Sequence, residues 1–259
     1  MNKITWNRAK PYVMSLAGGL FFLLLWQVSA TLANVRYFPT FTSSVQALLS
    51  PSVQERILID IRDSVLRVGG GFFLAAITGI PLGILIGRWQ VVHQFTKPLI
   101  QAVRFVPPLA LVPIALVLFG VQPTPTFIIW FAAFFPILLS TVTGVQRTDL
   151  AHIDVVKSFG GSEWQILEKV MLPSAVPEIL TGARLGLGVG WMSVVAAEMV
   201  AAGWGTGLGY HLWAKAFPVG QFDLMVGILL LLAIIGFIMN EGFAFLERYL
   251  LRYRRPVSR

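Results

Sequence analysis

Cysteine is absent from the 259 residues, and charge is scarce. Without a thiol the chain can form no disulfide, no thiolate metal site and no cysteine nucleophile. The three histidines, His93, His152 and His211, form neither an i,i+4 pair nor an HExxH arrangement, which argues against a zinc site built from them. Charged residues make up 12% of the chain, whereas a soluble domain carries about a quarter. So small a share cannot coat a water-soluble globule, and lipid must solvate much of the chain. A GxxxxGK[ST] phosphate loop is missing too, so ATP binding is not expected here. The sparse titratable groups offer no convergent acid, base and nucleophile, and the chain does not read as an enzyme.

What is present is hydrophobic, at 56% of residues. A span needs about 20 apolar residues, and six candidates are expected, with five the alternative count: Tyr12–Leu32, Ser64–Gly87, Leu99–Phe119, Pro125–Val145, Ile179–Ala202 and Leu224–Leu246. The first exceeds the apolar core of a signal peptide, about 7–15 residues, and is read as a span. Pro107, Pro108 and Pro113 should kink or break the third. With the N-terminus inside, 15 of the 20 lysines and arginines fall on the cytoplasmic side, so both termini are expected in the cytoplasm. The net charge of +8 then faces anionic lipid rather than nucleic acid. The expected fold is an all-α polytopic membrane protein. It has a cytoplasmic tail at 1–11, a transmembrane domain at 12–247 and a basic cytoplasmic tail at 248–259.

Two connections stand out. Gln54–Leu66 places Ile57, Leu58, Ile61, Val65 and Leu66 on one side and Arg56, Asp60 and Asp63 on the other, as an amphipathic helix on the membrane surface would. Between spans four and five lies a charged cytoplasmic stretch, 146–178. It turns at Gly160-Gly161, offers Ser162 as an N-cap, spaces Trp164, Leu167 and Met171 along one helix side and meets Pro173, where the helix should end. Two short helices joined at a glycine turn and projected into the cytoplasm suit docking into a groove of another protein.

Asp154-Val155-Val156-Lys157-Ser158-Phe159-Gly160, nine further residues and Val170-Met171-Leu172-Pro173 resemble the E-A-A-x-x-x-G-x9-I-x-L-P motif of permease subunits of type I ABC importers. The initial Glu-Ala-Ala stands here as Asp-Val-Val. Arg104-Phe105-Val106-Pro107-Pro108, Gly182-Ala183-Arg184-Leu185-Gly186, Ala197-Glu198-Met199 and Gly207-Leu208-Gly209-Tyr210 are similar to the nitrate/sulfonate/taurine branch of that family. The resemblance implies a permease subunit that passes a small anion across a bacterial inner membrane. It also implies a second permease copy, two ATPase subunits that carry ATP and Mg²⁺, and an extracytoplasmic binding protein. Asp154, Lys157, Ser158, Phe159, Gly160, Glu163, Leu172 and Pro173 are the expected coupling residues. An ion-coupled secondary transporter is the alternative, although no inverted repeat is visible.

Glycines recur every four residues as Gly79, Gly83 and Gly87, with Pro81 among them, and again as Gly182, Gly186 and Gly190. Each trio permits close backbone approach, either as packing within one subunit or as a contact that slides. Charges within spans need partners. Arg104, Arg184 and Glu241 share a level near the inner end and are expected to form a network, and Glu198 should meet Arg67 near the outer end. An exchange of those two charges is then expected to restore function. Thr141, Thr143, Trp191, Met192 and Ser193 are candidates for the passage wall.

Overall fold

In the computed structural model the backbone is described for residues 3–200 and 205–252, and side chains for 13–200 and 205–252. Ten helices follow one another, with no strand among these residues: α1 (Lys3–Ala33), α2 (Phe41–Leu48), α3 (Pro51–Arg88), α4 (Gln90–Val103), α5 (Pro108–Phe119, opening as a 3-10 turn), α6 (Thr124–Gln146), α7 (Leu150–Ser158), α8 (Glu163–Val200), α9 (residues 208–216) and α10 (Phe222–Leu250). The end of the expected fifth span, residues 201–202, and the tail beyond Arg252 lie outside the described residues. From Lys3 the expected N-terminal tail is already part of α1.

Five helices (α3, α6, α8, α10 and the Val13–Ala33 part of α1) are long and apolar enough to cross a membrane. A sixth candidate crossing is the pair α4 and α5, bent by 85° at the break between them. The break falls where Pro107 and Pro108 withhold backbone donors, as the prolines led one to expect.

Helix α6 is the centre of the molecule. Its β-branched ridge Ile129, Ile137, Thr141 and Val145 lies against Gly71, Gly79, Gly83 and Gly87 of α3, so the two helices run parallel in constant register. On an adjoining face Gly182, Gly186 and Gly190 of α8 meet Ser140, Ala133 and Ile129 in antiparallel order, so Ile129 and Ile137 lie between the two glycine rows. Both glycine ladders therefore pack within one chain, against the same helix. Interdigitation explains this: β-branched side chains stiff at χ1 lie opposite Gly71, Gly79, Gly83 and Gly87 and opposite Gly186 and Gly190, while Gly182 meets Ser140, and these contacts hold the register. Helix α3 continues through Pro81 inside this contact.

Two readings of the sequence are corrected. Gln54–Leu66 is not a separate surface helix: it is the first half of α3, with Ile57, Asp60 and Ser64 buried and Leu58 and Leu66 exposed. At about 1.5 Å per residue, the 38 residues of α3 exceed a hydrocarbon core of about 30 Å, and this half projects from it. Pro173 does not end a helix either. A π-turn at Leu167–Met171, in which Leu172 N–H donates to Leu167 O, precedes Pro173, and α8 continues past Pro173 and Pro177. The widened turn leaves room for the proline ring against the preceding carbonyl.

At the other end, α1 stands apart from the bundle, with most of its described side chains exposed. It is tied to the turn before α2 by Trp26 Nε1, which donates to Pro39 O (3.1 Å), and to α2 by a Gln27–Thr42 hydrogen bond. Helix α2 in turn rests on α10, where Gly227 faces Ser44 and Leu48.

A Cβ on Gly83 would lie 2.6 Å from Thr141 Cβ, whereas nothing lies within 4 Å of one on Gly188. Gly83→Ala is expected to lose about 1–3 kcal/mol by overpacking. Gly188→Ala should melt with the parent in detergent, and equal melting of both variants would contradict the packing described.

Candidate functional site

Two polar constructions flank the α3–α6–α8 core. At the end where α6 stops, the chain makes an elbow. Asp149 caps α7 by accepting from Ala151 N–H (2.9 Å). The helix ends in a Schellman turn: Gly160 N–H donates to Lys157 O and Gly161 N–H to Val156 O, both at 2.9 Å, with Gly160 at φ +75°. A Cβ on Gly161 would run into Val156. Ser162 then starts α8 with a capping box to Gln165. Stop and start signals thus stand back to back, which sets the angle between α7 and α8 locally.

The elbow is seated on the bundle. Ile153 and Val156 of α7 pack with Val145, Ile166, Met171 and Ala175. Arg88 at the end of α3 pairs with Glu163, and Arg147 pairs with Glu178 at 2.8 Å. The far side carries Asp154, Val155, Lys157 and Ser158, with Phe159 89% and Trp164 69% exposed. Ser158 Oγ is turned back onto Asp154 O (2.9 Å). Of the expected docking residues, Glu163 is engaged within the chain, Leu172 is half-buried, and Pro173 lies inside α8.

At the opposite end α3, the close of α8 and α9 share a buried polar clasp. Glu198 accepts from Ser64 Oγ (2.9 Å), Arg67 (2.8 Å) and Gly209 N–H (3.0 Å). Asp60 accepts from Gly207 N–H (2.7 Å) and lies 2.8 Å from His211 Nδ1. Ser64 Oγ accepts from Leu208 N–H (3.0 Å), and Arg67 also donates to the carbonyl and hydroxyl of Thr206. Gly207, at φ +127°, has no room for a Cβ against Glu198. Three successive backbone donors of the turn into α9 are therefore satisfied by three side chains, as burial demands.

Glu198 and Arg67 do meet, as their levels suggested. The sequence did not reveal Asp60, Ser64, Thr206 and His211 beside them. The signal available was the spacing of Asp60, Ser64 and Arg67, which puts them on one face of α3.

Arg104, Arg184 and Glu241 do not form one network. Arg184 Nε donates to Asn240 Oδ1 (3.0 Å) and lies 3.8 Å from Glu247, while Asn240 also donates to Glu241 (3.3 Å). Arg104 is elsewhere, over the Phe105 ring at 4.9 Å, because α4 diverges at the break and faces α6 rather than α10.

The passage candidates separate as well. Thr141 is buried against Gly83 and donates to Ile137 O (2.7 Å). Ser193 donates to Val189 O (2.9 Å), and Trp191 Nε1 to Leu232 O (3.1 Å). Met192 is exposed and, with Arg184, Gly188, Trp191 and Gly236, lines a 470 Å³ groove between α8 and α10. Thr143 borders a smaller cavity beside α4.

Residues 79–252 match the family described as binding-protein-dependent transport system inner membrane component. The chain is 33% identical to the bicarbonate transport system permease protein CmpB of Synechococcus elongatus, over 93% of this chain and 90% of that protein. It is 32% identical to the taurine transport system permease protein TauC of Escherichia coli, over 99% and 95%. Identity to the nitrate import permease protein NrtB of Synechocystis is 36%, over 73% and 68%. An inward-facing form of the MetNI methionine ABC transporter shares the fold, with a TM-score of 0.66 at 17% identity, over 77% of this chain and 98% of that one.

For the clasp, exchange of charges by Arg67→Glu with Glu198→Arg is expected to give no rescue, contrary to the expectation from sequence. A guanidinium at position 198 cannot accept from Gly209 N–H or Ser64, and each buried donor left unsatisfied costs about 1–3 kcal/mol. Thermal melting of the two single variants and the double variant decides: a double variant more stable than either single would show that the ion pair alone matters.

Proposed function

The chain belongs to the binding-protein-dependent transport system inner membrane component family, and on that premise we propose that it is the force-receiving permease subunit of an importer of a small anion. The elbow is the observation that carries this reading. Its apolar tip, Phe159 and Trp164, is exposed on a helix pair whose other face is seated and doubly capped. An exposed aromatic pair on a rigid projection is the form of an anchor for a pocket in a partner.

The partner is an ATPase, one beneath each of two permease copies, and ATP and Mg²⁺ belong to it. The elbow face is cytoplasmic, both termini lie on that side, and the membrane is a bacterial inner membrane. An extracytoplasmic binding protein delivers the solute to the clasp face. Nitrate, bicarbonate and sulfonates such as taurine are the solute class, in keeping with what the relatives' names state.

Since α8 is continuous from Glu163 to Val200, a displacement of the elbow is carried along one helix to Glu198 and the clasp. Asp154, Lys157, Ser158 and Gly160 complete the docked surface around Phe159, and Glu163 acts through Arg88 to hold the elbow to α3.

Phe159→Asp is expected to release the ATPase during co-purification and to abolish ATP-driven uptake while the permease melts as before. Gly160→Ala forces a side chain into the left-handed region at about 1–2 kcal/mol and should weaken the same association. Full ATPase retention with Phe159→Asp would overturn the docking assignment.

A further inference from the structure

Helix α4 and its C-cap residue place His93, Lys97, Gln101 and Arg104 along one face, at spacings of four, four and three residues. The opposite face carries Val91, Phe95 and Leu99, all exposed and apolar. The polar face is turned toward the elbow-side end of α6. Between them lies a cavity of about 170 Å³, bordered by these four residues, Thr143 and Gln146, over an apolar floor that includes Ile86 and Val142.

Three features give the cavity its character. Its rim carries two exposed cations, Lys97 and Arg104, and no carboxylate lines it. Among the described residues neither cation is paired with an acid. His93 Nδ1 is buried with no hydrogen-bond partner, the only such side-chain atom among the described residues. Buried polar atoms are ordinarily satisfied, so an orphan beside two cations without a counter-charge leaves a place that a ligand can fill.

We infer that this cavity is a holding site for a small oxyanion, occupied by the transported solute on its way out at the elbow side. The inference rests on the importer reading and names where that importer holds its cargo last. Charge selects an anion: a cation would face Lys97 and Arg104 without a counter-charge. Size excludes a nucleotide or a long acidic chain but admits a trigonal or tetrahedral oxyanion with its nearest water. The amides of Gln101 and Gln146 add neutral donors, and Arg104 adds a planar fork that matches two oxygens of one ligand. The position fits too. Arg104 stands at the break between α4 and α5, where backbone leaves regular helix, and irregular backbone at membrane depth is tolerated where it lines a wet cavity. The same oxyanion chemistry is offered by the phosphate of a lipid headgroup, so the test has to separate the two sources.

The absence of native cysteine makes this direct, since Thr143→Cys introduces a single thiol at the rim. The full-length chain carrying T143C, with whatever subunits co-purify, is placed in phosphatidylcholine nanodiscs and modified with N-ethylmaleimide, a neutral reagent. Sodium nitrate, sodium bicarbonate and sodium methanesulfonate are the probes, with sodium chloride at equal ionic strength as reference. At ten times its dissociation constant, a bound probe should slow modification roughly tenfold. Adding Lys97→Gln and Arg104→Gln should remove this protection, read in each variant as the ratio of rates with and without probe, because loss of nearby positive charge by itself slows a thiolate reaction. Lys97→Arg with Arg104→Lys should retain it, which separates charge from folding. No protection by any of the three probes overturns the site. So does protection that requires phosphatidylglycerol and no added anion, which would assign the cavity to lipid. ATPase association is a separate readout, so failure of this site and failure of the importer reading remain distinguishable.

Discussion

The constraint on which the rest depends is the enclosure of α6 between two glycine faces. Gly71, Gly79, Gly83 and Gly87 receive its β-branched ridge, and Gly182, Gly186 and Gly190 close on an adjoining face that shares Ile129 and Ile137. In lipid there is no hydrophobic gain from bringing two apolar helices together, so association relies on dispersion and on close backbone approach. Glycine supplies that approach. With α3 and α8 held to α6 at fixed register, the parts of each that project beyond the bilayer become fixed levers.

Those levers point in opposite directions. The surplus of α3 extends on the clasp side and carries Asp60, Ser64 and Arg67; the surplus of α8 extends on the elbow side and carries Glu163 and Trp164. The Arg88–Glu163 pair ties the end of α3 to the start of α8, and the Arg67–Glu198 pair ties the two helices again at the far side. The core is thus bracketed by two charge contacts of different character. The elbow pair sits at an exposed corner, where it is worth little energetically and serves position. The clasp pair is enclosed with three backbone donors and is costly to open.

Much of the elbow was legible in the sequence because its determinants are local. Ser162 announces a helix start, Gly160-Gly161 a helix end, and the spacing from Gly160 to Leu172 the family motif. Pro173 misled for a reason equally local: proline normally stops a helix, and nothing short of the π-turn at Leu167–Met171 reveals that the helix passes it. Gln54–Leu66 misled because amphipathicity has two causes. Asp60 is polar toward a buried partner rather than toward water, and Gly207 and His211 lie far away in the chain.

The sequence by itself determined the membrane environment, the helical class, the proline break in the third candidate crossing, the elbow and its family. Each follows from composition, from period, or from stop and start signals within a few residues. Only the tertiary structure decided that both glycine ladders face α6, that α8 runs unbroken through its prolines, and that Arg104 joins α4's polar face instead of Arg184. It alone closed the clasp. Burial requires polar groups to be paired, but the pairing is drawn from residues more than a hundred positions apart, and no periodicity encodes such a choice.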